Sequence, residues 1–213
     1  MSDAIRLRVQ HQNASPAPVR SGRMIGGKDQ AGASAGGDIV GRDKRTHISV
    51  DLRRNINGQK IDALKERLLA EINNDTQVGE IIDDLQRYNN RRKSYDGIDG
   101  LEPKLRAAQR DSEILDAIEQ KEMFAKLLTK WTLYASAQEI FAHLLSLAVH
   151  EFRMQIQPLL ADLDRQTYND LVTHRIIRPL MDEIGDCPLN MDAMVTMGLY
   201  YWLAEQCFVR WHA

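Results

Sequence analysis

Apolar residues recur every three or four positions through most of the chain after residue 60, and this period limits the fold more than any other feature. The first apolar stripe consists of Ile61, Leu64, Leu68, Leu69 and Ile72. An amphipathic helix has to bury such a stripe against another element, so several stripes in succession predict helices packed around one core. The sequence therefore predicts an all-α helical bundle over residues 61–213.

Two further segments with this period follow the first stripe. A short helix is predicted to start with Asp75 as its N-cap, because a side-chain oxygen there can accept a hydrogen bond from the first turn. Its apolar positions are Val78, Ile81, Ile82 and Leu85. Residues 101–134 predict either one long helix or two shorter ones. The polar residues 89–100 between them are the candidate internal linker.

Prolines and a glycine divide the next part of the chain. A helix with Ser136 as its N-cap is predicted to kink or end at Pro158, because proline lacks the N–H that the helix needs. Residues 164–184 predict an amphipathic helix. We expect a kink at Pro179 and a stop at Gly185, which suits the position after the last helical residue.

The last segment predicts a helix over residues 192–206 and then a short strand over residues 207–211. Gly198 lies within the apolar face of this helix, where it would allow close packing against a neighbour. Trp202 and Phe208 are predicted to complete the core. In the alternative interpretation the outer side of this segment is a partner surface, because tyrosine, arginine and tryptophan dominate binding hot spots. Its residues would be Tyr200, Arg210 and Trp211.

The first 52 residues do not share the helical period. Residues 1–36 are rich in glycine, serine and proline, and they predict a disordered arm. Residues 37–52 include an alternating apolar pattern that predicts a short β-hairpin or strand. Such a short element cannot cover its own apolar face, so another chain is expected to cover it. The candidate partner-binding residues there are Ile39, Val40, Ile48, Val50 and Leu52.

The charge is distributed unevenly along the chain. Residues 1–60 carry 11 Lys+Arg and 5 Asp+Glu, a net charge of +6, whereas residues 61–213 carry 17 and 25, a net charge of −8. A basic arm can fold back onto the acidic body or remain solvated, which are the simpler interpretations. It could also bind phosphate backbones, and the cluster Arg91, Arg92 and Lys93 could help it. A small nucleic-acid-associated protein is therefore an alternative function, although the arm lacks the aromatic residues that stack on bases.

Candidate metal ligands lie on one predicted helix. Glu139 and His143 are four residues apart on one face, and His150 follows two turns later. A carboxylate and two histidines could bind zinc or iron, which makes a helical metal-dependent enzyme a distant alternative. No HExxH or CxxC motif accompanies these residues, so solvated or core-edge histidines are the simpler interpretation.

No other enzyme chemistry is indicated. Residues 22–29 match the start of a phosphate-binding loop, but Asp29 stands where a serine or threonine must bind magnesium. Neither Cys187 nor Cys207 belongs to a catalytic motif. The longest apolar run is far too short for a bilayer, and the first residues lack a secretory signal. We therefore expect a cytoplasmic protein that has no cofactor and no membrane contact.

Two stretches resemble a known family. Residues 37–44, GDIVGRDK, resemble a signature that recurs in bacterial conflict-system proteins. Residues 198–211, GLYYWLAEQCFVRW, are similar to the tails of C-terminal domains in ABC-three-component systems. The resemblance implies two partner subunits, an ABC ATPase and a middle component, and a role in defence against phage or plasmids.

Effectors of these systems usually carry a nuclease or peptidase domain before the signature, whereas only 36 low-complexity residues precede it here. The resemblance thus implies a coupling module without its effector domain, or a partner of a separately encoded effector. Our interpretation is a non-catalytic adaptor that binds other proteins, as a homo-oligomer or in a complex of different subunits.

Overall fold

The computed structural model describes residues 59–211, and every regular element in this range is a helix. The prediction of an all-α domain is confirmed for this part of the chain, which contains no strand. The predicted arm, residues 1–36, and the predicted β element, residues 37–52, lie outside the described residues. The glycine-rich residues 22–29 lie outside them too.

The domain consists of eight α-helices in the described range, connected in places by tighter or wider helical turns. The first helix, α1, covers residues 59–73. The others are α2 (Asp83–Asn89), α3 (Leu101–Ala107), α4 (Ile114–Trp131), α5 (Ala135–Glu151), α6 (Arg165–Val172), α7 (Arg178–Ile184) and α8 (Ala193–Glu205). Among residues 59–211 no helix is long and apolar enough to cross a bilayer.

Residues 101–134 form two helices and not one long helix. The helix α3 ends at Ala107, and a 3₁₀ turn over Asp111–Glu113 leads directly into α4. Gln109 has a positive φ of 57° in the connection, so the chain leaves the helical conformation there. Of the two predicted alternatives, two shorter helices are therefore the correct one.

The helix α8 lies at the centre of the domain, where it contacts α3, α4, α5 and α7. Gly198 faces α4, and a Cβ at this position would overlap the carbonyl group of Gln120, whose carbon would be only 2.7 Å away. Beside it, the Phe124 ring lies 5.8 Å from the ring of Trp202 and 5.9 Å from that of Phe141. The predicted role of Gly198 in close helix packing is confirmed.

Two π-helical turns stand directly before the two prolines that were predicted to interrupt helices. The turn Phe152–Ile156 precedes Pro158, and the turn Thr173–Ile177 precedes Pro179. Because a proline ring collides with the carbonyl of the fourth residue before it, the wider turn relieves this contact. The regular α-helical pattern is interrupted before both prolines, and α7 then ends before Gly185, which has a positive φ of 47°.

The predicted N-cap at Asp75 is wrong. Asp75 has a φ of 49° and lies just after α1, where its N–H and that of Thr76 bond back to the carbonyls of Ile72 and Glu71. This pair of bonds is the Schellman motif, which closes the end of a helix. The second helix begins only at Asp83, so Val78 and Ile81 lie in the non-helical connection before it.

The predicted N-cap at Ser136 is also wrong, because α5 begins one residue earlier. Ser136 is fully buried, and both its N–H and its hydroxyl donate to the carboxylate of Glu71, at 3.1 and 2.7 Å. Arg67 donates to the Ser136 hydroxyl at 2.6 Å and also pairs with Glu139. The start of α5 is thus capped by a carboxylate from α1, which fixes the two helices together.

The predicted strand over residues 207–211 is wrong as well. Cys207 has a φ of 62°, which no strand residue adopts. The N–H groups of Cys207 and Phe208 bond back to the carbonyls of Ala204 and Leu203, at 3.1 and 2.9 Å. A second Schellman motif therefore ends α8 and turns the remaining residues back onto the domain.

Candidate functional site: the C-terminal clasp

The residues that follow α8 are held by the irregular segment between α2 and α3. We call the two segments, residues 90–100 and 206–211, the clasp. The N–H of Arg92 donates to the carbonyl of Gln206 at 3.1 Å. The guanidinium of Arg92 also lies 4.0 Å from the centre of the Phe208 ring. The candidate linker therefore lacks helical structure after Asn89, and it is bonded to the C-terminal residues.

Arg210 makes two of the hydrogen bonds that join the two segments of the clasp. Its guanidinium donates to Asp96 at 3.0 Å and to the Ser94 hydroxyl at 3.3 Å. The same group lies 4.0 Å from the centre of the Tyr95 ring, in a cation–π contact. Only 11% of the Arg210 side chain is exposed. Its charge is therefore used within the domain, on the residues of one short segment.

Glu205 ties the end of α8 to the start of α3. One carboxylate oxygen accepts a hydrogen bond from the N–H of Leu101 at 2.8 Å, and the other lies 3.4 Å from the guanidinium of Arg91. A carboxylate at the first N–H of a helix interacts favourably with the helix dipole. Glu205 thus links α8, α3 and the clasp with a single side chain.

A fully buried lysine lies beneath the clasp. Lys104 is 0% exposed, and its ammonium group donates to the carbonyl of Ala204 near the end of α8. Burial lowers the pKa of Lys104, while its hydrogen bond with the Cys207 thiol opposes this shift. A buried cation is costly unless its donors are paired, so Lys104 also fixes the last turn of α8.

A pair of buried tyrosines joins α6 to α8. The hydroxyl groups of Tyr168 and Tyr200 are 2.5 Å apart, and both side chains are almost fully buried. The guanidinium of Arg110 lies 4.9 Å from the centre of the Tyr168 ring and pairs with Glu113 at 2.9 Å. Trp211 packs edge-on against Tyr200 with their ring centres 6.2 Å apart.

Burial changes the acidity of these tyrosines. It raises the pKa of Tyr168 well above the ordinary value, and the neighbouring Tyr200 adds to the shift. Burial raises the pKa of Tyr200 too, although its hydrogen bond with Tyr168 opposes the change. Both hydroxyl groups therefore keep their protons at neutral pH and serve as structural hydrogen-bonding groups.

The candidate partner residues of the C-terminal segment lie inside the domain. Tyr200 is 1% exposed and Trp211 is 8% exposed, as buried as the predicted core residues Trp202 and Phe208. The core interpretation of Trp202 and Phe208 is correct. The alternative that places Tyr200 and Trp211 on the outer side is wrong, because Tyr200 lies on a buried part of α8 and Trp211 packs against it. A role of Arg210 in partner binding stays a prediction.

The three candidate metal ligands do not come together. Glu139 pairs with Arg67, while the Nε2 atom of His143 lies 3.1 Å from Glu183 of α7. His150 is exposed and borders a different cavity from the one that Glu139 and His143 line. Within residues 59–211 there is no group of three or more His, Cys, Asp or Glu residues placed to hold a metal ion.

The predicted basic cluster is divided between two kinds of contact. Arg91 pairs with Glu205, and Arg92 stacks on Phe208 and borders a cavity. Lys93 is exposed. The cluster therefore does not form one continuous surface of free cations for a phosphate backbone.

The sequence interpretation missed several residues of the clasp region. Lys104 and Arg110 were not singled out, because the period of a helix does not reveal a cation that is buried by a segment distant in sequence. Glu205 was missed for the same reason. Within the tyrosine pair, the burial of Tyr168 could be predicted, because Tyr168 lies on the apolar face of the amphipathic helix predicted over residues 164–184.

The tyrosine pair predicts a loss of stability at high pH. Since the pKa of both hydroxyl groups is higher in the folded state than the unfolded value of about 10, the folded protein keeps protons that the unfolded chain loses above that pH. The contribution of the two tyrosines to the free energy of unfolding should be fully present below about pH 10. Above that pH it should fall by up to about 1.4 kcal/mol per pH unit for each tyrosine. Urea unfolding between pH 9 and 11.5 measures this slope.

The double variant Y168F/Y200F should show a flatter dependence, because both titrating groups are removed together. The exposed Tyr95 provides the control, and Y95F should keep the wild-type slope. Lys104 has the opposite effect, because its lowered pKa makes the folded state more stable as the pH rises toward 10.5. The wild type, Y168F/Y200F and Y95F all contain Lys104, so its contribution cancels when their slopes are compared. Equal slopes for wild type and double variant would contradict the prediction.

The described residues thus define a helical domain whose C-terminal segment is held in place by hydrogen bonds and aromatic contacts to the segment before α3. A comparison with protein families matches residues 100–211 to C-terminal domain 9 of the ABC-three component (ABC-3C) systems. The match covers more than half of the chain, from the start of α3 to the end of the clasp. The chain belongs to this family and is thereby a component of a bacterial conflict system.

The family match confirms the resemblance that the C-terminal sequence suggested. Neither the comparison with curated proteins nor the comparison with solved structures finds a match.

Proposed function

We propose that this protein is a non-catalytic adaptor, which couples other protein subunits of an ABC-three-component system by binding them. One observation carries the proposal: the family domain spans α3 to α8 together with the C-terminal half of the clasp. A domain shared by systems made of several components suits a role in assembling them.

The chemistry of the domain supports binding more than catalysis. The charged side chains around the clasp are engaged in contacts within the chain, such as those of Arg210 with Asp96 and of Arg91 with Glu205. The tyrosine hydroxyl groups are bonded to each other and carry raised pKa values, so neither is suited to proton transfer near neutral pH.

Several large apolar side chains lie on the surface and could take part in docking. Leu115 at the start of α4 is 81% exposed, and Leu133 just beyond its end is 46% exposed. Scattered apolar residues are normal on a protein surface. Leu115 and Leu133 are therefore used as positions at which substitutions can test for an interface.

The partners we propose are an ABC ATPase and a middle component, and the process is defence against phage or plasmids. Co-expression tests this directly. The full chain carries an affinity tag, and an ABC ATPase and a middle component of such a system are produced in the same cells. We expect at least one of them to be captured with the chain in a stoichiometric amount.

Surface variants then locate the contact. L115R and L133R each place a cation at an exposed apolar position, and Q166R adds the same charge at an exposed polar position of α6. If either leucine lies in the interface, its variant should reduce capture at least tenfold without changing the thermal unfolding, whereas Q166R should not. A wild-type chain that captures neither component would refute the adaptor function.

A further inference from the structure

A cavity of about 380 Å³ opens between α2, the clasp, the end of α5 and the first π turn. Its rim carries four basic side chains, which are Arg87, Arg92, His150 and Arg153. Its floor is apolar and buried, and it is formed by Tyr88, Val149 and Phe208. No aspartate or glutamate is among the residues that line it.

The three arginines of the rim differ from most arginines of the domain. Residues 59–211 contain 11 arginines, and six of them form ion pairs with carboxylates in that range. Arg87, Arg92 and Arg153 form none there. Of the five arginines without such a pair, three therefore border one cavity, and the other two are Arg175 and Arg178.

Two of the rim arginines are held in position by the aromatic floor. The guanidinium of Arg87 donates to the Tyr88 hydroxyl at 2.7 Å and lies 4.9 Å from the centre of its ring. Arg92 lies 4.0 Å from the centre of the Phe208 ring, and the two aromatic rings are 5.0 Å apart. A ligand would not have to order these side chains, which lowers the entropic cost of binding.

The cations are close enough to repel one another. Burial lowers the pKa of Arg92, and the positive charges of Arg153 and Arg87 lower it further. Residues 59–211 as a whole carry 18 Lys+Arg and 25 Asp+Glu, a net charge of −7, so carboxylates are abundant elsewhere in the domain. A group of cations that remains without one of these carboxylates has free capacity for an anion from outside.

We propose that this cavity binds a compact phosphate-bearing ligand, with Arg87, Arg92 and Arg153 as the principal contacts. The planar guanidinium group matches phosphate oxygens with two parallel hydrogen bonds, and His150 adds a further donor. The volume lies within the usual range of small-molecule sites. The chemistry of the ligand is that of a diphosphate, either free or as part of a nucleotide.

A nucleic acid fits the same residues less well. Residues 59–211 carry a net charge of −7, which disfavours binding of a long polyanion, whereas a short ligand contacts only the basic rim. The aromatic rings of the floor are also unsuited to base stacking, because both are buried and guanidinium groups lie over them. This site is independent of the proposed adaptor function, since it needs no partner protein.

Calorimetric titration of the full chain with pyrophosphate and with ADP tests the site. We expect a Kd on the order of 10–100 μM for pyrophosphate or ADP at low salt, and the Kd should rise as the salt concentration rises. R153Q should weaken binding of both ligands about tenfold, and R87Q/R153Q about a hundredfold. Tighter binding of ADP than of pyrophosphate would identify a nucleotide as the source of the phosphates, and equal binding would identify the phosphates alone.

The matched controls are R175Q and R175Q/R178Q. Arg175 lies in the second π turn as Arg153 lies in the first, and both control arginines are exposed and without an ion pair in the described range. These variants should change affinity less than twofold. The proposal is overturned if neither ligand binds at 5 mM, or if the controls lose as much affinity as the rim variants. It is also overturned if only a twelve-nucleotide single strand binds, since the site would then serve nucleic acid.

Discussion

Replacing Gly198 with alanine is expected to lower the free energy of unfolding by about 3 kcal/mol and the melting temperature by about 10 °C. The added Cβ would overlap the backbone carbonyl of Gln120, with the carbonyl carbon 2.7 Å away and the Cβ of Phe124 at 3.1 Å. A backbone group cannot move aside as a flexible side chain can. The helices α4 and α8 would therefore have to separate along their contact.

Two effects of this substitution oppose each other, which makes the result informative. Alanine favours an α-helix by about 1 kcal/mol relative to glycine, so replacing an exposed helical glycine with alanine usually stabilises a protein. At Gly198 the steric cost should exceed that gain, since separating α4 from α8 also loosens the packing of Phe124 on Trp202. The net destabilisation measures how closely the two helices approach.

Gly79 is the matched control for this experiment. Nothing lies within 4 Å of the Cβ that Gly79 would gain, and its φ is not positive. G79A should therefore change the free energy of unfolding by no more than about 0.5 kcal/mol. Urea unfolding followed by circular dichroism compares the two variants with the wild type. A G198A protein as stable as the wild type would contradict the close contact between α4 and α8.

The helical class of the domain could be predicted from the apolar period, but several helix ends could not. Sequence-based reasoning expects glycine or asparagine after the last helical residue, where φ becomes positive. Here Asp75, Gln109 and Cys207 occupy this position with φ values of 49°, 57° and 62°. Asp75 was interpreted as the start of the next helix because aspartate is common at N-caps. Cys207 was assigned to a strand because its neighbours are apolar and aromatic.

The prolines and the last glycine were interpreted correctly because their effects are local. Pro158 and Pro179 disturb only the preceding turn, and Gly185 ends α7 through its own backbone conformation. The cap of α5 is the opposite case, because Glu71 reaches it from α1 across 65 residues of sequence. No local pattern contains this contact.

The clasp could not be predicted for the same physical reason. The polar composition of residues 89–100 indicates a linker, and all of this segment after Asn89 lacks helical structure. Composition does not show that Arg92 stacks on Phe208 or that Asp96 pairs with Arg210, because the residues of each pair are more than 100 positions apart. The same contacts bury Trp211, which an aromatic pattern alone had left open between core and partner surface.

Ending the chain at Cys207 is expected to have the largest effect on stability. The deletion removes Phe208, Val209 and Trp211, which are 5%, 0% and 8% exposed. Burying side chains of this kind contributes about 1.5–3 kcal/mol each, so their loss approaches the total stability of about 5–15 kcal/mol of an ordinary domain. It also removes the partners of Arg92 and Asp96 in the clasp. We therefore expect the truncated protein to lose its cooperative thermal transition.

Two single substitutions show whether this loss comes from burial. W211A removes a buried aromatic side chain and should lower the free energy of unfolding by about 3 kcal/mol while the transition remains cooperative. Y95A removes an aromatic side chain that is 84% exposed on the opposite segment of the clasp, and it should cost less than about 1 kcal/mol. Equal effects of the two would show that aromatic contacts on the surface, and not burial, stabilise the clasp.

The truncated chain also separates a role in folding from a role in binding. If it melts as the full-length protein does but no longer captures the ABC ATPase or the middle component, residues 208–211 act as a docking surface. If it neither melts cooperatively nor captures a partner, the segment is part of the core, as the burial of Val209 indicates. Unchanged melting together with unchanged capture would contradict both roles, because three buried side chains would then contribute nothing to the domain that holds them.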